Sequence, residues 1–213
     1  MTTLEVYNKT KNLFAELEKC ENLRSLEDFL QASNLEKEVK AFYEKYPAFD
    51  FRLTPNDITE LRNSGVITET NTLNPDTFPK DSLARLLAAV LWKNGDIKKV
   101  QHLIDGVLGI QEDRSEYSLV FKQYGASLAN SAEPIVDQHI LRAFEIYSLE
   151  TYFEEVVEKS RSKSLFKTKD RPLLNKYRAW FAQLLSTVPL SERSRYSEVI
   201  DKVIFIHGKA IKN

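Results

Sequence analysis

Apolar residues recur every three or four positions through most of this chain, and single turn residues divide the segments that carry them. The stretch TPNDITELRNSG shows the pattern: Thr54 can cap a helix, Pro55 suits its first position and Gly65 suits its end. The 213 residues include only six glycines and seven prolines, fewer than a sandwich or barrel of short strands needs. We therefore predict an all-α fold with about nine or ten helices.

One region interrupts this helical pattern. Residues 66–79, VITETNTLNPDTFP, are rich in β-branched and turn residues, and no internal repeat of fixed period accompanies them. The chain length suits one large domain or two small ones. We predict one globular helical domain over residues 1–213 and place any sub-domain boundary near residues 66–80.

The segment DSLARLLAAVLWKNG, which follows this interruption, has the strongest apolar stripe. Its helical spacing predicts that Leu83, Leu86, Leu87, Val90 and Leu91 are buried, with Gly95 ending the helix. Trp92 lies near the end of the same helix. It is expected to pack in the core, or alternatively to line a ligand pocket.

Composition excludes several classes of protein. The net charge is −1, so no global field attracts nucleic acid or an anionic membrane. Cys20 is the only cysteine, which rules out an intramolecular disulfide and a cluster of thiolates on zinc. The N-terminus lacks the pattern of a secretory signal, and the longest apolar run, Leu86–Trp92, is too short to span a bilayer. We expect a cytoplasmic protein with no membrane association.

The sequence also lacks the standard motifs for phosphate loops, dinucleotides, metalloproteases, hydrolase serines and calcium loops. Its three histidines, His102, His139 and His207, are widely separated. We predict no metal site and no cofactor.

Residues 159–178 form the one clear charge asymmetry, with eight cations against the single carboxylate of Asp170. Lysine, arginine, hydroxyl and aromatic side chains are interleaved here, a combination that can follow a phosphate backbone. A solvated loop between helices explains the same composition equally well. Lys163, Lys167, Lys169 and Arg171 are the predicted phosphate contacts.

The stretch EPIVDQHILRAF, at residues 133–144, changes from an extended start to a helical register. Pro134, Ile135 and Val136 favour extended backbone, and Asp137 then stands where a helix N-cap is expected. A carboxylate fixed at a helix start can also stabilise a developing cation or orient a water, as cleavage of an N-glycosidic bond requires.

The string PIVDQHILRAF resembles the catalytic segment of the helix-hairpin-helix DNA glycosylase superfamily, V-D-[TS]-H-[VI]-x-R. The matching positions are Val136, Asp137, His139, Ile140 and Arg142. The resemblance extends to Leu119 and implies a DNA-repair glycosylase in which Asp137 is the catalytic carboxylate. It further implies that Lys122 is the nucleophile of bifunctional members. The glycine-rich hairpin turn that precedes this lysine in the family is absent here, and Gln138 replaces the family's small hydroxyl residue.

Two hypotheses follow. In the first, the chain is a divergent glycosylase-like protein that binds DNA through His139, Arg142 and the basic segment, with Trp92 and Tyr124 lining a pocket for a flipped base. In the second, it is a non-enzymatic helical scaffold that binds a protein partner.

Overall fold

The computed structural model describes residues 1–45, 52–77 and 82–212, and within these ranges the chain is all-α. Eleven α-helices occur there, more than the nine or ten predicted, together with 3-10 turns at Pro75–Thr77 and Thr168–Asp170. The helices are α1 (Thr3–Leu17), α2 (Leu23–Ala32), α3 (Leu35–Lys45), α4 (Pro55–Asn63), α5 (Ser82–Lys93), α6 (Ile97–Val107), α7 (Leu119–Ala129), α8 (Gln138–Tyr147), α9 (Glu154–Ser162), α10 (Arg171–Thr187) and α11 (Arg193–Ala210).

The start of α4 follows the local cap chemistry predicted from the sequence. Thr54 caps α4: its hydroxyl accepts a hydrogen bond from the Asp57 backbone N–H, and the Asp57 carboxylate accepts one from the Thr54 backbone N–H in return. Gly65 follows the end of this helix with φ of 73°, in the left-handed region that glycine tolerates best. Both features confirm the predicted boundaries of α4.

The chain divides into two compact units. The first comprises Met1–Phe49 with Pro134–Asn213, and the second comprises Asp50–Glu133. The predicted boundary region near 66–80 lies inside the second unit.

Helix α8 lies at the centre of the first unit and packs against α1, α9, α10 and α11. Its apolar side chains Ile140, Leu141 and Phe144 are buried. Gly208 of α11 lies so close to α8 that an added Cβ would overlap the His139 carbonyl. The two helices therefore approach backbone to backbone, which fixes the start of α8 firmly in place.

Helices α6 and α7 form the most closely packed pair of the second unit. A Cβ at Gly106 would overlap the Lys122 carbonyl, and one at Gly125 would overlap the Leu103 carbonyl. Gly106 therefore serves helix packing rather than helix termination, and α6 ends at Val107. A small apolar core formed by Ile58, Ile67, Ile104 and Val107 adjoins this pair.

Candidate functional site

Asp137 caps α8, which confirms the predicted cap. Its backbone is extended, with φ of −128° and ψ of −176°, and its Oδ1 accepts hydrogen bonds from the backbone N–H groups of His139 (2.7 Å) and Ile140 (2.9 Å). Burial raises the pKa of this carboxyl group, while the two backbone donors and the charge of Arg142 oppose that rise. The carboxylate is thus held rigidly and is partly removed from solvent.

Arg142 is fully buried one turn further along α8. Its guanidinium donates to the Lys163 carbonyl from Nε (3.2 Å) and Nη2 (2.7 Å), and to the Gly208 carbonyl from Nη1 (2.8 Å). It connects α8 with α11 and with the end of α9. A contact between Arg142 and DNA stays a prediction, but the buried position gives it no support.

His139 lies beside Arg142, with 2.8 Å between its Nδ1 and the arginine Nη1. Because a guanidinium only donates, Nδ1 must accept, and the proton of the neutral imidazole is on Nε2. Burial lowers the pKa of His139, in agreement with the neutral form. The ring also makes an edge contact with Phe205, 4.9 Å between centroids. These contacts give His139 a packing role, and DNA binding by it stays a prediction.

Asp201 of α11 is a buried carboxyl group that sequence reasoning missed. It accepts hydrogen bonds from the Ile135 backbone N–H (3.2 Å) and the Tyr177 hydroxyl (3.3 Å). Burial raises its pKa to about 8, and the nearby negative charge of Asp137 acts in the same direction. Its position within the apolar run VIDKVIFI was the available signal, since a lone carboxylate there must lie on or near a buried helix face.

Lys122, the predicted nucleophile, belongs to the second unit, whereas Asp137 belongs to the first. Its ammonium group donates to the carbonyls of Ile110 (3.3 Å) and Glu112 and lies 3.3 Å from the Asp113 carboxylate. The residue is buried, so these acceptors replace water around the charge. An attacking amine would have to leave all three acceptors and lose its proton. Catalysis by Lys122 stays a prediction.

Part of the positive charge of the basic segment at residues 159–178 is paired with carboxylates. Lys163 lies between the carboxylates of Glu145 (3.1 Å) and Asp170 (2.9 Å), and its ammonium stands 4.2 Å from the centroid of the Phe166 ring. Lys169 is exposed, whereas Lys167 and Arg171 are half-buried. Phosphate binding by these residues stays a prediction.

The residues predicted to line a pocket lie on different helices of the second unit. Tyr124 of α7 is half-buried, and its carbonyl accepts from the Ser127 hydroxyl (2.7 Å). Trp92 is 74% exposed, so the expectation that it packs in the core is wrong.

Helix α5 has its apolar stripe on the solvent side, which is the main departure from the sequence prediction. The small residue Ala88 is buried instead of the large ones, while four large apolar side chains are between 51% and 62% exposed: Leu83, Leu86, Leu87 and Val90. Their predicted burial is wrong, and Leu91 is only half-buried. We call Leu83, Leu86, Leu87 and Val90 the α5 face.

The physical reason lies in the packing of α5. Successive residues of a helix are rotated by about 100°, so positions 83, 86, 87 and 90 fall within one arc while position 88 points elsewhere. Helix α5 packs against α6, and Ala88 is its buried residue. The residue spacing correctly predicted an apolar stripe on α5, but this stripe is exposed to solvent rather than buried.

No group of histidine, cysteine and carboxylate residues suited to a metal ion occurs in the part of the chain that the structure describes. Among the same residues, no helix is both long and apolar enough to cross a membrane. Comparisons with known protein families, with curated proteins and with solved structures found no match.

Proposed function

We propose that this protein is a non-enzymatic helical interaction protein that binds a partner through the α5 face. The observation that carries the proposal is the exposure of Leu83, Leu86, Leu87 and Val90 on one side of a single helix. Isolated exposed leucines are common on protein surfaces, but a contiguous apolar stripe is typical of a binding site.

The spacing of the α5 face indicates what kind of partner fits it. Positions i, i+3, i+4 and i+7 are those through which a helix packs along another helix or into an apolar groove. Of the two cations of α5, Lys93 lies beside the α5 face, whereas the rotation of 100° per residue puts Arg85 on the other side of the helix. A partner surface that is apolar at its centre and carries carboxylates near Lys93 complements both features.

A defined peptide can test this proposal. We would titrate the full-length protein into a fluorescent synthetic helix that carries leucines at i, i+3, i+4 and i+7 with glutamates at its rim, and measure anisotropy. The matched control peptide has lysine at every glutamate position. We expect the acidic peptide to bind about tenfold more tightly than the basic one, because the rim charges attract in one case and repel in the other.

The matching protein variant is Leu86→Ser/Leu87→Ser. Removing two apolar anchors should weaken binding of the acidic peptide by about tenfold or more. The control, Leu190→Ser, changes a side chain that is 81% exposed and lies outside the α5 face. Equal binding of both peptides, or equal binding by both variants, contradicts the proposal.

The glycosylase-like function remains the second candidate, and the half-buried carboxylate of Asp137 with its raised pKa is the observation that favours it. Its test is release of base from oligonucleotides that carry a panel of damaged bases, with Asp137→Asn as the comparison. Asparagine keeps an oxygen that can cap α8, so the variant separates catalysis from folding. Equal release by both proteins would rule out a catalytic role for Asp137.

A further inference from the structure

The turn between α5 and α6 contains the pair Asn94–Gly95, and Asn94 is the only asparagine of the chain that is followed by glycine. Both residues are exposed, and Gly95 has φ of 72° with open space where a Cβ would stand. The side-chain carbonyl of an asparagine lies within reach of the next backbone nitrogen, and glycine adds no side chain that would hinder the approach. The pair therefore combines an exposed side-chain amide with an unhindered backbone nitrogen.

Asn94 also lies in line with the α5 face. Its backbone N–H donates to the Val90 carbonyl (3.1 Å), so the helical rotation of α5 continues to this residue. At about 100° per residue, position 94 falls within about 40° of positions 83, 87 and 90 around the helix axis. A charge that arises at position 94 therefore stands at the end of the apolar stripe.

We propose that Asn94–Gly95 is a self-modification site, at which loss of ammonia places a carboxylate at the end of the α5 face. The new carboxylate is an unfavourable neighbour for an apolar partner surface and offsets the charge of Lys93. Modification therefore weakens binding by α5 as the protein ages. This effect on binding rests on the proposed function, whereas the modification itself does not.

The reaction needs only water and hydroxide. The Gly95 nitrogen gives its proton to hydroxide and forms a bond to Cγ of Asn94, while the bond from Cγ to the side-chain nitrogen breaks. That nitrogen takes a proton from water and leaves as ammonia, which restores the hydroxide and leaves a cyclic imide. Water then opens the ring. Attack at Cγ gives aspartate, and attack at the backbone carbonyl carbon gives isoaspartate, in which the main chain runs through the side-chain carbon.

The hydrogen bonds that end α5 slow this reaction in the folded protein. The Gly95 N–H donates to the Trp92 carbonyl (3.0 Å) and the Asp96 N–H donates to the Leu91 carbonyl (2.8 Å), so the turn must open before the nitrogen can attack. Helix ends open at a small cost in free energy, and the exposed Trp92 side chain adds little packing here. We expect the folded protein to react more slowly than the unfolded chain, but measurably.

Asp105–Gly106 offers a comparison within the same chain, because an aspartate followed by glycine forms the same imide with loss of water. Asp105 is fully buried, and Gly106 lies so close to α7 that an added Cβ would overlap the Lys122 carbonyl. Reaction there requires α6 and α7 to separate, which costs far more than opening an exposed turn. Asp105 should therefore stay unmodified in the folded protein while Asn94 reacts.

Peptide mapping by mass spectrometry tests the site. The full-length protein would be kept in warm, mildly alkaline buffer and digested at intervals, and a sample taken at the start controls for reaction during digestion. We expect Asn94 to change from amide to acid ahead of every other asparagine, and faster still in urea. Asn94→Gln keeps an amide but would need a larger ring, so this variant should not react at position 94. A folded protein in which Asn94 stays an amide, or reacts no faster than the other asparagines, overturns the proposal.

The fluorescent acidic peptide tests the consequence for the α5 face. Asn94→Asp carries the product charge from the start and should bind this peptide about fivefold more weakly than wild type, because it repels the glutamates and offsets Lys93. Asn94→Gln should bind as fresh wild type does. Equal binding by the two variants overturns the effect on α5. Fresh wild type that does not bind the peptide contradicts the proposed function together with that effect, while the mass measurement decides the modification on its own.

Discussion

Helices α5 and α8 show the same sequence pattern and opposite surroundings. Helix α8 packs against four other helices, and even the guanidinium of Arg142 is buried there, satisfied by carbonyls of distant residues. Helix α5 packs against α6, and Leu83, Leu86 and Leu87 face solvent. An apolar stripe therefore indicates a helix face whose burial is favourable. The neighbouring elements determine whether that face is buried within the monomer.

The largest change in the free energy of unfolding is expected for a substitution inside α8. Leu141 is fully buried, and Leu141→Ala should lower the free energy of unfolding by about 3 kcal/mol, because the change removes apolar burial and leaves a cavity. Urea unfolding followed by circular dichroism would measure this loss. A loss below about 1 kcal/mol would mean that α8 is not at the centre of a packed core.

Replacement of Arg142 tests the polar part of the same region. Arg142→Met keeps most of the side-chain volume but leaves the buried carbonyls of Lys163 and Gly208 without their donors. We expect a loss of about 2 kcal/mol in the free energy of unfolding. The matched substitution at an exposed position, Lys169→Met, should change it by less than about 0.5 kcal/mol. Equal effects at the two positions would contradict the structural role of Arg142.

The raised pKa of Asp201 predicts that the stability of the folded protein depends on pH. Its folded-state pKa is about 8 against an ordinary value of 3.8, so between these values the folded protein binds a proton that the unfolded chain releases. Stability from this group is therefore fully present below about pH 4 and is lost as the pH rises toward 8. Asp137 faces this carboxyl group and favours its neutral form, while the hydrogen bonds from Ile135 and Tyr177 and the charge of Lys202 oppose the rise in pKa that burial causes.

The comparison variant for this prediction is Asp201→Asn, which retains an oxygen for the Ile135 N–H. Between pH 5 and 7, the unfolding free energy of wild type relative to the variant should fall by about 1 kcal/mol per pH unit. Parallel pH profiles would show that Asp201 titrates alike in the folded and unfolded chains.

Sequence reasoning succeeded where the controlling interactions are local. The cap at Asp137 and the boundaries of α4 depend on residues within a few positions of one another, and the structure has both where they were predicted. The all-α class follows from the same local signals, repeated along the chain.

It did not reach the contacts that distant residues make. The burial of Arg142 depends on carbonyls at 163 and 208, and the ammonium of Lys122 is held by carbonyls at 110 and 112. The exposure of the α5 face likewise depends on which elements pack beside that helix. None of these partners is encoded in the spacing of the residues concerned.

The smallest change in the free energy of unfolding is expected for a substitution in α5. This substitution tests the difference between α5 and α8 most directly. Leu86 is 62% exposed, so Leu86→Ala should change the free energy of unfolding by less than about 0.5 kcal/mol at low protein concentration, since little apolar area returns to water. Urea unfolding of both proteins, followed by circular dichroism, would measure this change. A loss near that of Leu141→Ala at low concentration would mean that the monomer itself covers the α5 face, and the difference between the two helices would disappear.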